Sequence, residues 1–385
     1  MENNVKRTVC ASNMCCGCMA CLETCHKNAI NMVDTLGAFN AVKNNNCIDC
    51  GLCEKVCPQN NTVELKEPIY WGQGWTTKDE NRASSASGGY AMELARSFIR
   101  DGGVVCCCRF DKGEFSFDFA YTEKSLYRFA GSKYVKSNPR GVYSKIKRLL
   151  KDSTKVLFIG LPCQVAAVKN FVGGKFLDGL YTVDLICHGT PSSSVLELFL
   201  SQYKLKLTDL SDIQFRTKMI YQNYYSGYKG FAPQGTDDYY TLSFLHGLSY
   251  TENCYNCKYA QRKRVSDITI GDSWGASFQN NELFKGVSLA LVQTERGKDL
   301  LQRANVVIKD VDLDFAISNN KQLCHPSTKP STRDSFLSML KDGRSFNSAV
   351  FKSIKKTCIR QWIKFVFIKI GIKKVVGINY RIIYK

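Results

Sequence analysis

The sequence predicts two domains of different fold class, a small cysteine-rich α+β domain followed by a larger α/β domain. One cysteine spacing occurs twice within the first sixty residues. Beyond this region, apolar runs of strand length alternate with amphipathic helical stretches, as is typical of an α/β fold. The chain has 385 residues, of which 44% are hydrophobic, enough to bury the cores of two or three domains. We therefore predict domains at residues 1–67 and 68–335, followed by a basic, apolar tail at residues 336–385.

The first domain is defined by two runs with the spacing C-x2-C-x2-C-x3-C. This spacing is typical of a two-cluster ferredoxin, in which three thiolates of a run bind one cubane cluster. The fourth thiolate cannot reach the last corner and binds the other cluster. Zinc sites favour paired C-x2-C units with a longer gap, so zinc fits these triplets badly. We expect a ferredoxin-like domain with two [4Fe–4S] clusters, one bound by Cys15, Cys18, Cys21 and Cys57 and the other by Cys47, Cys50, Cys53 and Cys25.

Cysteine usage also bears on the cellular compartment. The polar N-terminus has no apolar segment of a secretory signal, so we expect a cytoplasmic protein with reduced thiols. Nineteen cysteines then indicate metal ligands rather than disulfides. Cys10 and Cys16 fall outside the register of the two runs, and we predict that both are spare buried thiols. The adjacent Cys106, Cys107 and Cys108 make a poor chelate and are predicted to alternate between the faces of a core strand.

In the larger domain, four more cysteines occur where loops meet predicted strands. Cys163 and Cys187 each follow a β-branched, apolar run, and ligands bind at the carboxyl edge of an open α/β sheet. Cys254 and Cys257 form a C-x2-C pair before a further strand. The four are candidate ligands of a third cluster. A structural zinc ion, a redox-active dithiol at the C-x2-C pair and inert thiols are the alternatives.

The sequence Ser87-Gly88-Gly89 precedes a predicted amphipathic helix. Free backbone N–H groups at a helix N-terminus can bind a phosphate group. A serine N-cap followed by permissive glycines explains the same residues equally well. Both interpretations stay open at this point.

The C-terminal tail is strongly basic. Residues 359–385 contain seven Lys or Arg residues and no acidic residue, in a chain whose net charge is +19. The charges recur too often for a membrane-spanning helix. On a helical wheel the basic positions share no common face, which argues against binding along a membrane surface. We expect the tail to pack on its own domain or on a partner subunit, with membrane-surface contact as the less favoured alternative.

Several longer segments resemble a known family. FIGLPCQVAAVK, DLICHGTPSS and CYNCKYAQRKRVSDITIGDSWG occur in this order behind the two cysteine runs. Over roughly residues 10–335 the sequence resembles the coenzyme F420 hydrogenase/dehydrogenase beta-subunit family. The resemblance implies that the larger α/β domain binds FAD and that Cys163, Cys187, Cys254 and Cys257 hold an inner [4Fe–4S] cluster. It also implies that the flavin lies near Ser87, Gly88, Gly89, Gly131, Ser132, Lys133 and Tyr134.

The resemblance implies an iron–sulfur flavoprotein oxidoreductase. Electrons would pass between a ferredoxin-type carrier and a hydride-accepting substrate, either coenzyme F420 or another small molecule. His188, Asp272 and Trp274 are candidates for a proton donor, a hydrogen-bond acceptor and a stacking wall beside the flavin, or are structural. The alternative is an electron-transfer subunit that feeds a separate catalytic partner. No nucleic acid is expected among the partners.

Overall fold

The structure, a computed structural model, describes residues 7–218, 222–226 and 229–371. Its strands are β1 (Ile30–Asp34), β2 (Phe39–Lys43), β3 (Tyr70–Thr76), β4 (Val104–Asp111), β5 (Glu114–Ala120), β6 (Val156–Gly160), β7 (Leu180–Leu185), β8 (Ile213–Gln214), β9 (Tyr224–Tyr225), β10 (Lys229–Gly230), β11 (Ile268–Asp272), β12 (Ser288–Val292) and β13 (Val306–Lys309). Its α-helices are α1 (Ala20–Thr24), α2 (Leu52–Val56), α3 (Asp79–Ser84), α4 (Tyr90–Arg100), α5 (Val142–Lys151), α6 (Pro162–Val172), α7 (Ser193–Ser201), α8 (Tyr239–Leu245), α9 (Asn280–Phe284), α10 (Glu295–Arg303), α11 (Leu313–Asn319), α12 (Arg333–Lys341), α13 (Phe346–Ser353) and α14 (Lys355–Lys369).

A mixed eight-stranded sheet forms the centre of the larger domain. The strand order is β13-β3-β12-β11-β7-β6-β4-β5. The four strands β4, β6, β7 and β11 run parallel, and antiparallel strands complete both edges. The α/β prediction is therefore confirmed in its coarse form as a mixed α/β sheet domain. Because β6 and β7 are parallel neighbours, the loops after them leave the same edge of the sheet.

The strand β4 shows how adjacent cysteines divide between two cores. Cys106 and Cys107 face opposite sides of the sheet and pack into different apolar clusters. Cys108 returns to the side of Cys106. This alternation is the pleat of a β-strand, and it explains three consecutive cysteines without a metal.

The N-terminal cysteine-rich part packs on the larger domain through specific polar contacts. The Glu23 carboxylate accepts hydrogen bonds from the backbone N–H groups of Gly141 (2.9 Å) and Ser144 (2.6 Å) at the start of α5. A carboxylate is favourable there because a helix N-terminus carries partial positive charge. The Tyr143 hydroxyl donates to the Cys18 carbonyl at 2.6 Å. These contacts hold the first cysteine run against α5.

Residues of the predicted tail contribute to a core. The boundary at residue 336 falls inside α12, where Phe336 is fully buried. Phe346 of α13 packs edge-on against Phe199 of α7, with ring centroids 5.3 Å apart. Cys358 of α14 joins the same apolar cluster. Residues 372–385 of the predicted tail lie outside the described residues.

One buried ion pair joins three parts of the larger domain. Arg264 donates to the Asp184 carboxylate at 2.8 Å, and both side chains are essentially inaccessible, at 1% and 0% exposure. Asp184 belongs to β7, and Ser266 donates to its second oxygen at 2.8 Å. Arg264 also donates to the Tyr259 carbonyl. The guanidinium thus ties the loop after Cys257 to the end of β7.

Replacing Arg264 by methionine should strongly destabilise the protein, because the Asp184 carboxylate would stay buried without its partner. Removing one member of a buried pair costs about 3–5 kcal/mol of unfolding free energy. Urea unfolding of the anaerobically purified protein, followed by circular dichroism, measures the loss.

The matched control is Arg262→Met, two residues away. Arg262 is about half exposed and pairs with Glu67 and Asp314 on the surface. Exposed ion pairs contribute about 0–1 kcal/mol to the free energy of unfolding, so the urea midpoint of Arg262→Met should lie close to that of the wild type. Equal midpoints for the two variants would contradict the central role of Arg264.

Candidate functional site

The two N-terminal cysteine runs adopt the same local conformation. In the first run, Gly17 and Met19 have left-handed φ values of 66° and 62°, and in the second run Asp49 and Gly51 have values of 52° and 73° at the equivalent positions. A five-residue helix follows each pair, α1 or α2. Left-handed backbone is uncommon outside glycine, so its presence at Met19 and Asp49 indicates that the surrounding structure holds both loops in one specific conformation.

The position of the fourth cysteine is also shared. Cys25 is the C-cap of α1, and Cys57 is the C-cap of α2. Burial raises the pKa of the Cys21 thiol, and the nearby Cys15 and Cys57 thiols raise it further. The fourth cysteine of the second run therefore lies beside the first run, as the ferredoxin spacing predicts.

The two runs differ in exposure. Cys15, Cys18 and Cys21 are buried, whereas Cys50 of the second run is exposed. Two apolar side chains beside it, Ile48 and Leu52, are also exposed, at 64% and 40%. The part of the second run around Cys50 thus faces solvent, and the first run faces the larger domain.

The four candidate ligands of the larger domain line one cavity. Cys163 lies in the first turn of α6, behind Pro162 at the helix start, and Cys187 lies two residues beyond β7. Cys254 belongs to a short 3-10 helix, and Cys257 is its C-cap. The cavity is lined by these four cysteines together with Lys136, Leu161, Pro162, His188, Gly189, Thr190, Asn253, Tyr259, Ala260, Arg264 and Ser327.

Two thiols of this cavity resist ionisation. Burial, reinforced by neighbouring thiols, raises the pKa of Cys187 to about 12 and that of Cys257 to about 11. A thiol with such a pKa is a poor nucleophile at neutral pH. A metal must displace these protons before the sulfur atoms can bind it. Within the described residues, no group of three or more Cys, His, Asp or Glu side chains is arranged to hold a single metal ion.

Cys16, predicted to be a spare thiol, connects the first run with this cavity. It is buried, and its thiol is hydrogen-bonded to those of Cys18 and Cys163. The Lys136 ammonium donates to the Cys16 carbonyl at 3.1 Å and also lines the cavity. Burial lowers the pKa of Lys136, but the negative charge of Cys254, Cys163, Cys16 and Cys15 in their thiolate form outweighs this and raises it. Lys136 therefore stays positively charged between the two groups of cysteines.

The residues Ser87, Gly88 and Gly89 are accounted for largely by packing. The Ser87 hydroxyl donates to the Val287 carbonyl at 3.0 Å. A Cβ atom on Gly88 would lie only 2.4 Å from the Gly74 carbonyl oxygen, so only glycine fits between the loop and β3. Gly89 has a φ of 94° at the N-cap of α4. These contacts explain the two glycines without a bound phosphate.

The predicted residues 131–134 divide between two environments. Gly131 is exposed, and the Lys133 ammonium donates to the carbonyls of Phe129 and Ala130 at 2.7 and 2.9 Å. Neither Gly131 nor Lys133 makes a described contact with the other predicted flavin residues. Tyr134, in contrast, stacks on Phe244 at 4.4 Å between centroids and interacts with Ser132 and Arg216.

Arg216 joins several predicted residues into one cluster. It forms a two-pronged ion pair with Asp272, at 2.5 and 2.9 Å. His188 lies near the pair and lines the cysteine cavity; burial lowers its pKa, which favours the neutral ring. Trp274 follows Asp272 by two residues, after the end of β11. Both carboxylate oxygens of Asp272 therefore accept hydrogen bonds from the Arg216 guanidinium.

Lys218 extends this cluster towards the Ser87 loop. Its ammonium donates to the carbonyl oxygens of Arg82 and Ser87. Burial, followed by the positive charges of Arg82 and Arg216, lowers the pKa of Lys218 to about 7. Arg82 in turn lies over the Trp75 ring, 4.2 Å from its centroid.

Sequence reasoning missed Arg216, Lys218 and Lys136. The first two follow the two-residue strand β8, in the stretch QFRTK, which matches no motif. Lys136 lies two residues beyond Tyr134, the last of the predicted flavin residues. An isolated basic residue gives no signal in one sequence, because most lysines and arginines are exposed.

The depressed pKa of Lys218 predicts a pH effect on stability. Between pH 7 and about 10.4 the unfolded chain keeps this proton while the folded chain releases it, so the stability of the wild type rises with pH relative to that of Lys218→Met. Urea midpoints measured from pH 7 to 9.5 test this. The exposed Lys206→Met should follow the wild type at every pH. A constant difference between the wild type and Lys218→Met would contradict the buried, weakly basic ammonium.

Comparison with known proteins finds family models that match two parts of the chain. A model of the 4Fe–4S dicluster domain matches residues 14–61, and a model of the C terminus of the coenzyme F420 hydrogenase/dehydrogenase beta subunit matches residues 153–311. No curated protein matches the chain significantly. A chain in a solved structure of the F420-reducing [NiFe] hydrogenase complex from Methanosarcina barkeri has 17% identity and a TM-score of 0.48, covering 76% of this chain and 93% of that one. The two family models confirm the resemblance: the chain combines an N-terminal 4Fe–4S dicluster domain with a region similar to the C terminus of the coenzyme F420 hydrogenase/dehydrogenase beta subunit.

Proposed function

We propose that the protein is an iron–sulfur flavoprotein oxidoreductase in which three [4Fe–4S] clusters connect a protein surface to a buried flavin. The matches to the dicluster and beta-subunit models support the general part of this proposal, that the protein is an iron–sulfur electron-transfer protein related to oxidoreductase subunits. The observation that carries the finer proposal is the cavity lined by Cys163, Cys187, Cys254 and Cys257.

The first two clusters follow the crossed ligand pattern. We assign one to Cys15, Cys18, Cys21 and Cys57, and the other to Cys47, Cys50, Cys53 and Cys25. The matching left-handed residues of both loops support three thiolates converging from each run. The proximity of Cys57 to Cys21 supports the exchange of fourth ligands.

The third cluster is assigned to the cavity cysteines. Four cysteines from three separate segments line this cavity, and thiolates are the ligands that cubane clusters require. The hydrogen bond between the thiols of Cys16 and Cys163 supports a short path from the first run to this cluster. Lys136 supplies a positive charge between them, which favours the more negative reduced state of either cluster.

Electrons enter or leave at the second cysteine run. Cys50 is exposed there, and Ile48 and Leu52 present an apolar rim on which a small carrier such as a ferredoxin can dock. The order surface run, buried run, cavity gives a linear path into the larger domain. Its direction of use is set by the relative potentials of carrier and acceptor.

FAD is proposed at the far end of this path. The cluster of Tyr134, Arg216 and Asp272, with His188 between it and the cavity, supports the location. FAD, when bound, exchanges a hydride with a small acceptor such as coenzyme F420 and single electrons with iron–sulfur clusters. Arg216 holds Asp272 in place, and the neutral His188 ring can accept a proton.

Iron and flavin content test the proposal. Anaerobically purified protein should contain about twelve irons, about twelve sulfides and one FAD per chain. Cys163→Ser should lower the iron content to about eight, because one cluster loses a ligand. About eight irons in the wild type would refute the third cluster, and absence of flavin would refute the FAD site.

The control for this experiment is Cys324→Ser, since Cys324 is an exposed cysteine outside the proposed ligand sets. Its iron content should equal that of the wild type. Cys16→Ser should also retain all the iron, because Cys16 is proposed to connect clusters rather than to bind one. Loss of iron in Cys16→Ser would instead make Cys16 a ligand.

Lys136→Met should lower the reduction potentials of the adjacent clusters. Removing a buried positive charge close to a cluster disfavours the more negative reduced state, by roughly 50–100 mV for a separation of several ångströms. Redox titration followed by electron paramagnetic resonance measures the shift. Lys136→Arg should restore most of it. Lys147→Met is the control, since this lysine donates to the Phe171 carbonyl; an equal shift there would contradict the assignment.

The alternative is an electron-transfer subunit that supplies a separate catalytic partner. The matching family model describes a beta subunit, which keeps this alternative open. Steady-state assays with a reduced carrier and a small acceptor separate the two. Turnover by the purified chain supports an enzyme, and turnover only after addition of a partner subunit supports the alternative.

A further inference from the structure

Helix α14 carries an apolar surface that no other described part of the chain covers. Ile359, Trp362, Ile363, Phe367 and Ile370 have exposed fractions of 39, 66, 40, 43 and 59%. Their spacing of three and four residues places them on one side of the helix and its C-cap. We call these five residues the apolar stripe of α14.

The opposite side of α14 is fixed to the protein. Cys358 is buried in the apolar cluster shared with α7, α8 and α13. The Gln361 side chain donates to the Asp237 carboxylate at 2.6 Å and accepts from the Asp237 backbone N–H at 3.3 Å. The helix cannot rotate its stripe inward without breaking these contacts. The stripe is therefore held facing outward.

Basic residues border the stripe. Lys369 lies at one edge of the helical projection and Arg360 at the other. The helix contains five Lys or Arg residues and no acidic residue: Lys355, Lys356, Arg360, Lys364 and Lys369. The following sequence, residues 372–385, adds four more basic residues and no acid. This charge is complementary to a negatively charged surface.

We propose that α14 docks the protein on an anionic lipid bilayer, lying in the plane of the interface. An exposed apolar stripe that contains tryptophan and has lysine and arginine at its edges is the pattern of an interfacial helix. Basic residues near an anionic leaflet strengthen such binding, and salt weakens their contribution. Among the described residues, no helix is long and apolar enough to cross a membrane.

This proposal revises the expectation from the helical wheel. The basic positions do flank α14 on several sides, as the sequence indicated. The feature that identifies an interfacial helix here is the apolar stripe exposed to solvent. The sequence could not show this exposure, because it depends on which side of α14 packs against the rest of the protein. The proposal is independent of the proposed redox function.

Vesicle binding by the full-length, anaerobically purified protein tests the proposal. The probes are vesicles of phosphatidylcholine alone and of phosphatidylcholine with phosphatidylglycerol (~30 mol%, chosen to give a strongly anionic surface). We expect co-sedimentation with the anionic vesicles only, weakened by salt. Trp362→Gln combined with Phe367→Gln should weaken binding at least about tenfold, because two large apolar side chains no longer enter the interface.

The matched control is Phe315→Gln, which removes an equally exposed phenylalanine from α11. It should bind the anionic vesicles as the wild type does, and circular dichroism should show all variants folded. Failure of the wild type to bind anionic vesicles overturns the proposal, as does equal weakening by Phe315→Gln. A dimer that Trp362→Gln converts to a monomer, without vesicle binding by either form, would identify a second copy as the occupant and also overturn it.

Discussion

The buried pair of Asp184 and Arg264 is the interaction on which the arrangement of the site depends. Its two charges are removed from water, so each requires the other and the additional hydrogen bonds from Ser266 and to Tyr259. Through these bonds, the end of β7, which leads to Cys187, is tied to the loop that carries Cys257. The Lys66 backbone also pairs with that of Arg264, so the segment leaving the N-terminal domain is joined to the same point.

Around this pair, the parallel centre of the sheet brings distant cysteines together. Parallel strands place their carboxyl ends at one edge, so the loops after β6 and β7 can deliver Cys163 and Cys187 to one cavity. The C-x2-C loop closes the cavity from a third direction. The N-terminal domain then contacts the cavity through Cys16 and Lys136. Burial rises from the exposed Cys50 of the second run to the buried Cys15, Cys18 and Cys21 of the first run.

The predictions from sequence succeeded where the signal was local. The strands β6 and β7 before Cys163 and Cys187, the helix α4 after Gly89 and the alternation of Cys106 to Cys108 follow from periodicity within a few residues. The predictions were incomplete where the interacting residues are distant from each other in the chain. Gly131 and Lys133 make no described contact with the other predicted flavin residues, whereas Arg216, which no motif marks, joins Asp272 to Tyr134.

The sequence by itself determined the two cysteine runs, several strands and helices of the larger domain, and the resemblance to the coenzyme F420 hydrogenase/dehydrogenase beta subunit. These depend on spacing and periodicity, which are properties of adjacent residues. Only the tertiary structure decided that Cys16 connects the first run with Cys163, that Lys136 lies between them, and that α14 turns its apolar stripe outward. Each of these depends on which surfaces pack against each other, and packing joins residues more than a hundred positions apart.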